Sequence, residues 1–111
     1  MAVIARPLIP SKTAEATQTT QYVAQGITAI IDKFTAINYS ASAATISVNL
    51  VSASGAAGDA NLVVKTKTLQ PSETYTFPEV VGHVLAPSGF ISTIASAGAA
   101  ISIRASGREV N

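Results

Sequence analysis

Residues 44–52, ATISVNLVS, alternate cleanly, with Ile46, Val48 and Leu50 on one face and Thr45, Ser47 and Asn49 on the other. Strand side chains point to opposite faces in turn, so this run specifies a strand with one dry and one wet side. The same logic governs two longer stretches, 34–58 and 80–103, which contain no Lys, Arg, Asp or Glu. Both are long enough to be tested as membrane spans. Asn38, Ser40, Ser42, Ser47, Asn49 and Ser52 interrupt the first, and His83, Pro87, Gly89 and several serines the second. Polar residues at this spacing mean half-wet strands, and the chain must bury them by packing sheet on sheet.

Further strands follow from the same reading. Residues 27–38, ITAIIDKFTAIN, are rich in β-branched and aromatic residues. Their alternation slips at Asp32-Lys33, where a bulge is expected. The small-residue turn 39–43 predicts a hairpin with 44–52. Residues 61–69, NLVVKTKTL, oppose Leu62 and Val64 to Lys65 and Lys67, after a loop, ASGAAGDA, at 53–60. Gln70 to Glu73 turns the chain at Pro71. In 74–95 a short strand (74–77) leads to Pro78, suited to a first helical position. Glu79 sits in the favourable first turn, and Val80, Val81, Val84 and Leu85 give that turn an apolar face. A strand at 90–95 then faces 101–105 across Ala97-Gly98-Ala99, a second predicted hairpin. Residues 108–111 read as a polar tail.

Residues 1–25 look different. Arg6-Pro7 and Ile9-Pro10 force extended backbone, and no apolar stripe supports a helix at 12–18. The expectation is an extended N-terminal arm, 1–25, on a β-sandwich domain, 26–111. Val3, Ile4, Leu8 and Ile9 have little reason to sit in water, so they and Arg6 are the candidate interface residues. Six or seven short strands with turns every ~8–12 residues define an all-β antiparallel sandwich, jelly-roll-like or immunoglobulin-like, with one short helical turn.

Charged residues are 12% of the chain against roughly 25% in typical domains, which leaves a surface poorly defended against association. The net charge of +1 offers no footprint for nucleic acid or an anionic membrane. Without cysteine there is neither disulfide nor thiolate metal site. Residues 1–10 do not form a signal-peptide core.

No constellation of catalytic residues emerges. The single histidine, His83, has only Glu79 close in sequence, too sparse for zinc; it is expected to pack at the sandwich end with one nitrogen bonded to backbone. No two carboxylates stand at a spacing that specifies acid–base work, and Glu73 and Glu79 read as a solvated rim. Asp59 and Asn61 supply too few oxygens for calcium. No Gly-x-Ser-x-Gly elbow occurs. The chain is therefore expected not to be an enzyme, with no catalytic residue, metal or cofactor. Asn38-Tyr39-Ser40 matches a glycosylation acceptor by chance. Arg104 and Arg108, like Arg6, are either interface residues or solvated charges.

From Asp32 onward, DKFTAINYSASAATISVNLV, LVVKTKTLQPSETYTFPEVVGHVL and ISTIASAGAAISIRASGREV together resemble small virion structural proteins of tailed bacteriophages. The resemblance covers roughly the last 80 residues and rests on turn and packing residues. It implies a virion location after assembly in the host cytoplasm, and most directly a capsid decoration (cement) protein bridging neighbouring capsid subunits. The implied partners are the major capsid protein and further copies of itself, as a homo-oligomer, commonly a trimer. Neck, tail or fibre modules of the same virion are the alternative. Deleting residues 1–12 should then weaken particle binding and leave the domain folded.

Overall fold

The structure, a computed structural model, describes residues 2–111. Nine strands follow in order: β1 (Val3–Thr13), β2 (Thr19–Val23), β3 (Thr28–Asn38), β4 (Ala44–Val51), β5 (Leu62–Leu69), β6 (Thr74–Tyr75), β7 (Val84–Leu85), β8 (Phe90–Ala95) and β9 (Ile101–Val110). The first sheet runs β1-β9-β3-β6, with β7 also pairing β3, and the second runs β2-β8-β4-β5. Every pairing is antiparallel. The chain is thus all-β, an antiparallel sandwich.

The strand order is that of one long hairpin rolled on itself. Its apex is the loop between β4 and β5. Moving outward, β4 lies on β5, β3 on β6 and β7, β2 on β8, and β1 on β9. Successive pairs alternate between the two sheets, which is jelly-roll topology. This corrects both predicted hairpins. β3 and β4 belong to different sheets, as do β8 and β9, because each small-residue turn carries the chain across the core. Alternation tells which face of a strand is dry but not which sheet holds it.

Asn38 makes the first of these crossings possible. It is fully buried, its amide donates to the carbonyls of Ser42 (2.8 Å) and Leu69 (2.9 Å), and its oxygen accepts from the Ser40 amide (2.9 Å) and hydroxyl (2.7 Å). A buried amide with all its groups partnered fixes one path for the turn.

The expected bulge is present: β3 slips register against β9 between Ile31 and Lys33. A second lies in β5, where Thr66 takes a positive φ of 47° and its amide donates to the Ser47 hydroxyl at 2.8 Å. The core is filled from both inner faces by Ile9, Ile31, Phe34, Ile46, Ile91 and Ile103.

Most of residues 2–25 is extended, as expected, but this segment is not an arm. β1 lies along β9 and β2 along β8, so the sandwich begins at Val3 rather than near Gly26. Leu8 and Ile9 are buried in this chain's own core. Pro7 and Pro10 fit because β1 is an edge strand, where a missing N–H is tolerated. The predicted tail is also strand: β9 continues through Gly107 to Val110. A Cβ on Gly107 would collide with the Ile30 carbonyl oxygen, so a residue that looks like a strand breaker is one that close packing requires.

The helical turn is displaced as well. Residues 78–82 form hydrogen-bonded turns, with the Val80 amide on the Phe77 carbonyl (3.0 Å) and Gly82 at φ 90°. They do not continue as helix because the chain must return to pair β7 with β3. The short helical element is instead the 3-10 turn Asp59–Asn61 at the apex.

Candidate interaction surface

The strand register sorts the outer face of the first sheet into two halves. Val84 of β7 is opposite Ile30 of β3, Ile30 is opposite Arg108 of β9, and Arg108 is opposite Ala5 of β1. One row further, Thr28 is opposite Val110, which is opposite Val3. Directly opposed residues share a face. Leu85 and Ala29 are buried on the inner side, so these two rows point outward. Val84 is 58% exposed and Val3 57%, with Ile30 and Val110 half-buried between them. The guanidinium of Arg108 grips the Asp32 carboxylate through Nε (3.0 Å) and Nη2 (2.9 Å) at the border of this apolar half. That contact holds the Asp32 carboxyl below its ordinary range and raises Arg108. The other half is polar: Lys33, Thr35, Arg104 and Ser102 surround Ile37.

The predicted interface residues therefore separate. Val3 lies on the apolar outer patch. Ile4 is exposed but turned to the other side of β1. Arg6 holds Glu109 through Nε at 2.8 Å, an intramolecular tie. Leu8 and Ile9 are in the core and unavailable to a neighbour. Ile30, Val84 and Val110 carry no interface signal in the sequence, because only the pairing of β7, β3, β9 and β1 brings them beside Val3. Val84, expected on the apolar face of a helical turn, points out because β7 is a strand whose other residue, Leu85, takes the inward position.

The remaining candidates serve structure. His83 is exposed rather than packed; its backbone carbonyl, not its ring, accepts from the Ile31 amide at 3.0 Å. Glu79 accepts from the Tyr75 hydroxyl at 2.7 Å, which lowers the carboxyl and raises the phenol. Glu73 accepts from the Gln70 amide at 2.8 Å, and Arg104 donates to the Ser11 hydroxyl at 3.3 Å. Asn61 accepts from Asn49 (2.6 Å) and from the Gly58 amide (3.0 Å), so it braces the apex loop; Asp59 is exposed. Among the described residues, no group of three or more His, Cys, Asp or Glu could hold a metal ion, and no helix is long and apolar enough to cross a membrane. A surface cleft of about 350 Å³ is lined by Asp32, Lys33, Thr76, Pro78 and Val81, with its one carboxylate already tied to Arg108. Phe34 and Phe77 are buried and Tyr22, Tyr75 and Phe90 half-buried, which leaves Tyr39 as the exposed aromatic ring among the described residues.

No family model matches this chain, and no curated protein is similar to it at a significant level. Among solved structures it is similar to one described as "Bacillus endospore appendages form a novel family of disulfide-linked pili", with a TM-score of 0.56 and 15% identity over 98% of this chain and 88% of that one. At that identity the likeness is one of fold.

Proposed function

We propose that this protein is a phage virion structural protein, a capsid decoration protein that bridges neighbouring capsid subunits, and not an enzyme. The observation that supports this reading most is the apolar outer patch, with Val3 and Val84 both more than half exposed on a chain with only 12% charged residues. Such a surface is kept in water at a cost unless a partner covers it. The proposed partners are the major capsid protein and further copies of this chain.

A second reading, a neck, tail or fibre subunit of the same virion, draws on the fold shared with a protein described as forming pili. Any such assembly by this chain would be held without disulfides, since it has no cysteine. A glycan-binding module is disfavoured by the lack of an aromatic platform around Tyr39.

The test is to add purified protein to capsids assembled without it. Decoration predicts co-sedimentation at saturating stoichiometry and a higher temperature of capsid rupture. No binding to capsids, together with a glycan-array signal abolished by Tyr39→Ala, would favour the binding module instead.

A further inference from the structure

We infer that the apolar half of the first sheet's outer face is a two-fold contact between two copies of this chain. Four apolar side chains, Val3, Val110, Ile30 and Val84, lie on four neighbouring strands as one patch. Their immediate border is an adjacent pair of opposite charges, Arg108 and Asp32, with side chains 46% and 43% exposed. A two-fold interface places the same patch on both sides and must be complementary to itself. A plus and a minus side by side meet that condition: rotation by half a turn sets Arg108 of one copy against Asp32 of the other, and the reverse. A foreign surface would have to supply both signs in the same arrangement. The polar half of the face carries Lys33 and Arg104, neither in an ion pair among the described residues. Two copies sliding to overlap that half would bring like charges together, so the contact is confined to the Val3–Val84 half.

The inference deepens the structural reading above by naming one partner, but the contact itself is read from this face alone. The trimer implied by the phage resemblance is the competing oligomer.

The test is sedimentation equilibrium of the full chain over a dilution series, with folding checked by circular dichroism. The wild type should reach twice the 11.3 kDa chain mass. Val84→Lys and Val3→Lys, at opposite margins of the patch, should each weaken dimerisation by about tenfold or more, because each sets an unpaired charge against the partner's apolar side chains. Val23→Lys, exposed on the second sheet, should leave it unchanged. Asp32→Arg should weaken it, and Asp32→Arg combined with Arg108→Asp should restore it, because the reversed pair is again self-complementary. A wild type that stays monomeric or forms trimers would overturn the inference, as would dimers indifferent to both Lys variants or a folded charge-reversed double variant that fails to dimerise. A monomer whose capsid binding is lost in Val84→Lys would assign the face to the capsid protein instead. A dimer that does not bind capsids would leave the inference standing and remove the decoration role.

Discussion

Where β1 meets β2, carboxylates do the joining. Glu109 accepts from Arg6 of β1 (2.8 Å) and from the Tyr22 hydroxyl of β2 (2.5 Å). Glu15, in the connection, accepts from Lys12 (2.8 Å) and Gln21 (2.9 Å), which holds its carboxyl below the ordinary range. Where β5 faces β6, on the other margin, rings do the joining. Tyr75 stacks edge-on against Phe77 (4.7 Å between centroids), and Phe77 against Phe34 in the core (5.0 Å). Lys67 of β5 caps the outer ring at 4.4 Å. One margin is thus fastened by polar contacts at its rim, the other by an aromatic column rooted in the interior. Polar ties at a half-exposed rim contribute little each and respond to pH, whereas a buried ring contributes through the water it excludes. The N-terminal side should therefore open first under mild stress, even though β1 supplies Leu8 and Ile9 to the core.

The largest expected effect comes from removing that side altogether. Deleting residues 2–12 strips β9 of its neighbour and takes Leu8 and Ile9 out of the core. Loss of two buried aliphatic side chains costs upwards of about 4 kcal/mol, so the truncated chain should be largely unfolded by circular dichroism. A truncated chain with a native melt would show that β1 is an appendage after all. Next is Phe77→Ala, which empties the middle of the aromatic column at a cost of about 3–5 kcal/mol in urea unfolding. A loss below that of any rim variant would reverse the comparison.

Glu109→Ala leaves the Tyr22 hydroxyl and Arg6 without their shared acceptor and should cost about 1–3 kcal/mol. Tyr22 also gives this margin an alkaline signature. Burial, then the bond to Glu109, raises its phenol above the ordinary value of 10. The folded state keeps a proton that the unfolded chain releases, so stability is intact below pH 10 and falls as pH rises beyond it. Tyr22→Phe should flatten that fall in pH-dependent urea melts; an unchanged slope would mean the phenol is not held in this way. Smallest is Lys67→Ala, which removes a cation from the half-buried Tyr75 ring and should cost about 0.5 kcal/mol.

Much of this architecture was legible in particular residues. The alternation at 44–52 and 61–69 predicted β4 and β5 to within a residue at each end, and the slip at Asp32-Lys33 marked a bulge that exists. β1 escaped because two prolines and the lack of clean alternation read as an arm, and an edge strand permits both. The outer half of β9 escaped because Gly107 imitates a terminator. Residues of one margin, such as Arg6, Tyr22 and Glu109, are joined only by the rolled topology, and no local spacing announces it. The apolar patch was half-visible: Val3 is a side chain unsuited to water, whereas Val84 reads as part of a helical turn and is instead the outward residue of a strand.

The reading of this chain as a decoration protein is tested most directly by its copy number in purified virions, measured by quantitative mass spectrometry against the major capsid protein. The account predicts a ratio near one. A ratio of a few per cent would contradict decoration and move the protein to the neck, tail or fibres, and absence from the particle would contradict the virion role altogether.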